Sequence, residues 1–164
     1  MGKALKIIIV VVVVAIVAFA AYTLLLVKDN EAKTIQPDLE SFPSGWKVDS
    51  SYSSTSTGED VMSFSRERYT DTPYTEHVVV QIYVYSSIDK AYTKYDAELA
   101  NWSGTNVTGT PFDKCFMYGS PPNYCFVFGN IYGEIIVTNP STVDVSPIFD
   151  DITEKAANVV IKPV

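Results

Sequence analysis

The stretch at residues 76–102 reads EHVVVQIYVYSSIDKAYTKYDAELANW, and two hydrophobic periodicities meet in it. Its first half alternates with a period of two, which is typical of a β-strand with two distinct faces. After Ser86-Ser87, which provides a helix N-cap, apolar residues recur every three or four positions, as in an amphipathic helix that Gly104 ends. The helical stripe comprises Ile88, Ala91, Tyr92, Tyr95, Leu99 and Trp102. The stretch therefore predicts a strand that leads directly into a helix able to cover a sheet.

Similar patterns on either side of this stretch predict five more strands and one more helix. The predicted strands are Trp46 to Tyr52, Val61 to Tyr69, Phe112 to Tyr118, Tyr124 to Phe128 and Ile131 to Thr138. The second helix begins at Ser146-Pro147, a cap followed by a first-turn proline. The order β-β-β-α-β-β-β-α predicts an α+β domain over residues 45–164, with one antiparallel sheet of about six strands packed by two helices. This order leaves open whether the helices share one face of the sheet.

Two turns set the expected pairing in the second half of the domain. Gly129-Asn130 has the composition of a two-residue hairpin turn and pairs Phe128 with Ile131. The residues between Tyr118 and Tyr124 are dense in turn formers, and equal arms about this turn place Cys115 opposite Cys125. Outside the cell such a pair oxidises, so we expect a cross-strand disulfide between Cys115 and Cys125.

The N-terminal run from Ile7 to Val27 predicts a membrane anchor. Twenty of its 21 residues are apolar and none is charged, and as a helix it spans roughly 31 Å, close to the thickness of the bilayer core. Lys3 and Lys6 favour an N-terminus, residues 1–6, on the cytoplasmic side. The alternative, a cleaved signal peptide, has a candidate site at Ala18-Phe19-Ala20, but the apolar run continues past it, which favours an uncleaved signal anchor.

The remainder of the chain is polar and acidic. Residues 28–44 are mostly polar and contain Pro37 and Pro43, so they predict a stalk between the anchor and the extracytoplasmic domain. The net charge is −7, and from Lys28 onward ten basic residues stand against 19 acidic ones. Because an acidic domain repels phosphate backbones, we expect no nucleic-acid partner.

Motifs of catalysis and cofactor binding are missing from the sequence. It contains no HExxH, GxSxG or glycine-rich phosphate-binding pattern. The only histidine, His77, follows Glu76 in a strand, where adjacent side chains point to opposite faces. Two thiols and one distant histidine are too few ligands for zinc. We therefore expect no catalytic, cofactor-binding or metal site, and no enzyme.

Two surface features suggest modification and contact. Glycosylation sequons begin at Asn101 and Asn106, and Asn106 is the better acceptor because it lies beyond the predicted helix. The hairpin tip YGSPPNY, residues 118–124, is stiffened by two prolines and flanked by tyrosines. Its interpretation is either a simple rigid turn or a preorganised contact for a partner protein. The candidate contact residues are Tyr118, Pro121, Pro122 and Tyr124.

Two motifs resemble the PsbP-like group of small α/β sandwich domains. The first is SFPSGW at residues 41–46, which precedes the first predicted strand, and the second is VVVQIYVYSSIDKA at residues 78–91. The resemblance implies a non-catalytic accessory or binding module, often attached to a membrane complex or an envelope. It transfers no functional residue to this chain.

Together these features predict a single-pass cell-membrane protein with its N-terminus inside and its domain outside. We expect it to act as a binding or accessory subunit for a protein partner or a membrane complex. The alternative is a pilin-like filament subunit that self-associates through the N-terminal apolar helix. Against this alternative, Gly2 is the only candidate processing residue, and no acidic residue lies near the start of the apolar run.

Overall fold

The computed structural model describes residues 30–58, 60–71, 75–138 and 143–160. The predicted cytoplasmic residues 1–6 and the predicted anchor lie outside these ranges. Within these ranges, no helix has both the length and the apolar character needed to cross a bilayer.

The described residues form three helices and one antiparallel sheet of eight strands. The helices are α1 (Glu31–Thr34), α2 (Ile88–Trp102) and α3 (Ser146–Ala156). The strands are β1 (Lys47–Val48), β2 (Ser54–Ser56), β3 (Val61–Thr70), β4 (His77–Tyr85), β5 (Thr105–Asn106), β6 (Lys114–Tyr118), β7 (Asn123–Phe128) and β8 (Ile131–Thr138). The strand order is β1-β3-β4-β8-β7-β6-β5, and β2 also pairs with β3.

The prediction of about six strands and two helices is therefore wrong. Of the first predicted strand, Trp46 to Tyr52, only β1 is a strand and a 3-10 turn at Ser50–Tyr52 follows it, while the short strands β2 and β5 lie outside every predicted strand. Strands β2 and β5 are polar and exposed, so they carry no alternation of apolar residues. Helix α1 has only four residues, which is too short for a helical periodicity to be recognised.

The sheet is covered on both faces, which answers the question that the order of elements left open. Helix α3 packs on one face, with Ile148 and Ile152 fully buried in a core that also holds Val80 and Phe126. We call this the first core. Helix α2 packs on the opposite face. Its side of the sheet contains a smaller cluster, the second core, made of Ala91, Tyr95, Phe116, Cys125, Val127 and Tyr132.

The segment predicted as a stalk, residues 28–44, is part of the domain from Asn30 onward. Ala32 and Ile35 are fully buried in the first core. Phe42 is also buried there, with its ring stacked on that of Tyr69 at 4.1 Å. The prediction of a stalk fails because the mean polarity of the segment hides a few apolar residues, and these are the ones that pack against the sheet.

Polar contacts fix this N-terminal segment to the sheet. The Ala32 amide donates to Ser63 Oγ at 3.0 Å. The buried Gln36 side chain donates from Nε2 to the carbonyl oxygens of Ser65 and Val80, at 3.1 and 3.3 Å. Ser63 and Ser65 lie on the same side of β3 as Tyr69, which is part of the first core, so these contacts attach the segment to that face of the sheet.

The pairing of β6 with β7 differs by one residue from the predicted register. Cys115 pairs with Phe126, and Phe116 pairs with Cys125. A shift of one residue reverses every side chain of a strand, so Cys115 lies in the first core and Cys125 in the second. Both thiols are buried and free, and the predicted disulfide is not present in the structure.

The reason for the shift is the length of the turn. Tyr118 pairs with Asn123, so the connection contains four residues, whereas Cys115 opposite Cys125 would require Tyr118 opposite Pro122 and a connection of three. The next hairpin follows its predicted pairing, because Gly129-Asn130 joins Phe128 directly to Ile131. That register prediction is confirmed.

Candidate partner-binding groove

A groove of about 750 Å³ opens between the last turn of α2 and the β6–β7 hairpin. It lies on the face of the sheet that α2 covers only in part. Its walls come from α2, the hairpin tip and β8, so three elements that are distant in sequence meet there. The side chains that give it its character are Glu98, Trp102, Tyr118, Pro121, Glu134 and Ile136.

One wall of the groove is a stacked pair of aromatic rings. The rings of Trp102 and Tyr118 lie 4.8 Å apart with an interplanar angle of 19°. Trp102 is 51% exposed, although it is the last residue of an amphipathic helix. Its indole Nε1 donates to Glu98 Oε2 at 2.9 Å, one helical turn earlier, which sets the orientation of the ring. The stack therefore presents a large, fixed aromatic surface to solvent.

Two carboxylates line the groove beside this wall. Glu98 is paired with Lys94 on the same helix, and the hydrogen bond from Lys94 holds the pKa of Glu98 below its ordinary value. Glu134 accepts hydrogen bonds from the Tyr132 hydroxyl at 2.6 Å and from Gln81 Nε2 at 3.1 Å, and both donors are neutral. The two carboxylates carry two negative charges and the ammonium group of Lys94 carries one positive charge, so the groove has a net negative charge.

The hairpin tip is built as a compact wall. Gly119 has a φ of +78°, a left-handed conformation that favours glycine. The Ser120-Pro121 peptide bond is cis. At the base of the tip, Asn123 Oδ1 accepts the backbone N–H of Val137 at 2.9 Å and so ties the hairpin to β8. Burial raises the pKa of Tyr118 to about 12, so the wall itself is uncharged at neutral pH.

Only two of the four predicted contact residues line the groove. Tyr118 and Pro121 line the groove, while Pro122 is exposed at the tip outside its lining. Tyr124 lies on the other face of the sheet, where its ring packs edge-on against Phe149 at 5.4 Å. The division follows from strand geometry, because Tyr124 pairs with Met117, the neighbour of Tyr118, and adjacent residues face opposite sides.

Sequence reasoning missed the contributions of Glu98, Trp102 and Glu134. Trp102 belongs to the apolar stripe of α2 and was therefore assigned to the core. Its position directly before the helix end is the one available signal, since the end of a helix can extend past the sheet that it covers. The left-handed Ser103, with a φ of 51°, ends the helix at that point.

The other residues singled out from the sequence lie elsewhere. Asn101 and Asn106 are both exposed, and Asn106 lies beyond the helix as predicted, in the edge strand β5. His77 Nδ1 is 2.9 Å from Thr70 Oγ1, at the start of β4. Across the described ranges, no three His, Cys, Asp or Glu side chains come together in a way that could hold a metal ion.

Comparisons of this chain with protein-family models, with curated protein sequences and with solved structures give no match. Function must therefore be inferred from the residues of the chain and their arrangement. The groove combines an exposed tryptophan ring stacked on a tyrosine, a net negative charge and walls fixed by hydrogen bonds. Tryptophan and tyrosine are the residue types most enriched where proteins bind one another, so the groove is the candidate functional site.

Proposed function

We propose that this protein is a membrane-anchored, non-catalytic binding or accessory subunit whose extracytoplasmic domain binds a partner protein through the groove. The observation that carries the proposal is the exposed Trp102 ring, stacked on the half-buried Tyr118, in a groove that also contains two carboxylates. Burying two such rings is the kind of contact that dominates binding energy in protein interfaces.

The proposed anchor is the apolar run of residues 7–27, and its attachment to the domain is short. Only Lys28 and Asp29 separate this run from Asn30. Asn30 donates from Nδ2 to the carbonyl oxygen of Phe64 at 3.0 Å, so the chain is tied to the sheet at that point. An anchor connected in this way holds the domain next to the membrane instead of on a long tether.

The groove lies in the half of the sheet that is away from this attachment. Asn30 contacts β2 and β3 at one edge of the sheet, and the groove extends from β8, at the centre of the sheet, to the β6–β7 hairpin near the other edge. Strand β6 is four positions from β3, which corresponds to roughly 19 Å across the sheet. The domain therefore presents its groove away from its own anchor, where a partner can reach it.

Site-specific photo-cross-linking tests the proposal in cells that make the protein. One variant carries the cross-linking residue at Ser120 on the groove wall, and the matched control carries it at Ser146, which is also exposed but begins α3 on the opposite face. We expect the Ser120 variant to capture one discrete partner that the Ser146 variant does not capture. We also expect Trp102→Ala to abolish this cross-link.

Fractionation of the same cells tests the anchor. We expect the full-length chain to remain with the membranes after washing at alkaline pH. Release into the soluble fraction would disprove the anchor, and absence of a Ser120-specific cross-link would disprove the binding role of the groove. A cross-link from Ser120 to a second copy of the chain would favour the pilin-like filament subunit instead.

A further inference from the structure

We propose that the groove binds an arginine side chain presented by the partner protein, an inference that rests on the proposed function and specifies the chemistry of its partner. The guanidinium group would lie against the exposed face of Trp102 and receive charge compensation from Glu134. Both groups line the same groove.

The carboxylate of Glu134 can accept further hydrogen bonds from a cationic donor. Each of its oxygens accepts one hydrogen bond from a neutral group, and each carboxylate oxygen can accept two. Among the ion pairs of the described residues, none joins Glu134 to a lysine or arginine within 4 Å. A guanidinium group bound there would complete both the hydrogen bonding and the charge of this carboxylate.

The ammonium group of Lys94 does not occupy the free acceptor positions of Glu134. Lys94 is hydrogen-bonded to Glu98, attracts Glu134 without forming an ion pair with it, and lies 5.7 Å from the centre of the Tyr132 ring. The lining of the groove itself contains two carboxylates and no lysine or arginine. This charge pattern repels an anionic ligand and attracts a cationic one, and the net charge of −7 adds a long-range attraction for basic partners.

The aromatic wall selects arginine over an ammonium ion. A planar guanidinium group stacks on an indole ring and can donate two parallel hydrogen bonds to a carboxylate, whereas lysine presents a compact, strongly hydrated charge. The Trp102 ring is already oriented by its hydrogen bond to Glu98 and backed by Tyr118. Little conformational freedom is therefore lost when the cation binds.

Peptide titration of the full-length chain in a non-ionic detergent tests this inference. The probes are acetyl-Gly-Gly-Arg-Gly-Gly-amide and the same peptide with citrulline or lysine in place of arginine. Citrulline has nearly the shape of arginine but no charge. In a Trp46→Phe background Trp102 is the only tryptophan, so its fluorescence and the NMR signal of its indole N–H report on the groove.

We expect saturable binding of the arginine peptide and about tenfold weaker binding of the citrulline peptide, the size of a partly desolvated cation–π and ion-pair contact. Glu134→Gln should weaken arginine binding about as much. The matched control, Glu154→Gln on the exposed side of α3, should leave it unchanged. Equal or tighter binding of the citrulline or lysine peptide would overturn the inference, as would loss of binding in the control.

The two proposals fail separately. A Ser120-specific cross-link together with no preference for the arginine peptide would support the binding function and disprove the inference that the groove binds arginine. Selective arginine binding together with no cross-link in cells would confirm the chemistry of the groove and reject its proposed use for a partner protein.

Discussion

The ring of Phe126 on β7 lies directly against the backbone of Gly133 on β8. The two residues are paired across the strands, and a methyl group added at Gly133 would come within 2.1 Å of Phe126 Cζ. Phe126 cannot move aside easily, because its other side is stacked on Phe112 at 4.0 Å. The absence of a side chain at Gly133 is thus what allows an aromatic layer to form between the sheet and α3.

We expect Gly133→Ala to lower the free energy of unfolding by about 1–3 kcal/mol, the usual cost of overpacking a core. Urea denaturation followed by circular dichroism measures the change. Gly58→Ala is the control, since its methyl group would meet only the Val61 carbonyl oxygen at 3.4 Å. Phe126→Leu in the Gly133→Ala background should recover part of the loss. Unchanged stability of Gly133→Ala would show that the ring does not lie there.

The N-terminal segment offers a matched pair of substitutions four residues apart. Ile35→Ala should cost about 2–5 kcal/mol because the side chain is fully buried. Leu39→Ala should change the free energy of unfolding by less than about 0.5 kcal/mol because Leu39 is 43% exposed. Thermal or chemical denaturation distinguishes the two variants. Equal, small effects would mean that residues 30–44 are a stalk after all.

The two cysteines should behave as unreactive thiols in the folded protein. Burial raises the pKa of both Cys115 and Cys125 to about 12, so almost no thiolate exists at pH 8. We expect slow reaction with Ellman's reagent in the native state and rapid reaction of two thiols after unfolding without reductant. If the denatured, unreduced chain exposes no thiol, the cysteines are paired and the register of β6 must differ.

The lowered pKa of Asp49 predicts how the stability of the protein changes at acidic pH. Hydrogen bonds from Ser51 and Arg68 lower the pKa of Asp49 from 3.8 to about 2. Because the pKa is lowered in the folded state, the stabilisation is complete above about pH 4 and is lost as the pH falls through 2. NMR titration of the Asp49 carboxyl carbon should show a midpoint near 2, and Ser51→Ala should raise it.

The lowered pKa of Asp49 should also be visible in the free energy of unfolding. Between pH 4 and pH 2 the free energy of unfolding should fall more steeply in the wild-type protein than in Asp49→Asn. A carboxyl midpoint at the ordinary value, or identical slopes in the two proteins, would contradict the bonded geometry of Asp49 and Arg68.

Elements with strong local patterns could be predicted, and those without them could not. The alternation in β4 and the apolar stripe of α2 identified a strand followed by a helix. The pair Gly129-Asn130 identified the β7–β8 hairpin. The exposed strands β2 and β5 carry no such pattern. Of the four residues predicted as contacts at the hairpin tip, Tyr118 and Pro121 line the groove, whereas Tyr124 lies on the far side of the sheet.

The sequence by itself determined what depends on neighbours along the chain: the period of each strong element, the acidic balance and the hairpin at Gly129. Only the tertiary structure decided what depends on one residue of register or on contacts between distant segments. A four-residue turn separates Cys115 from Cys125 across the sheet, and three distant segments bring Trp102, Tyr118 and Glu134 together. The physical reason is that side-chain direction in a strand reverses at every residue, so a small local difference changes which residues meet.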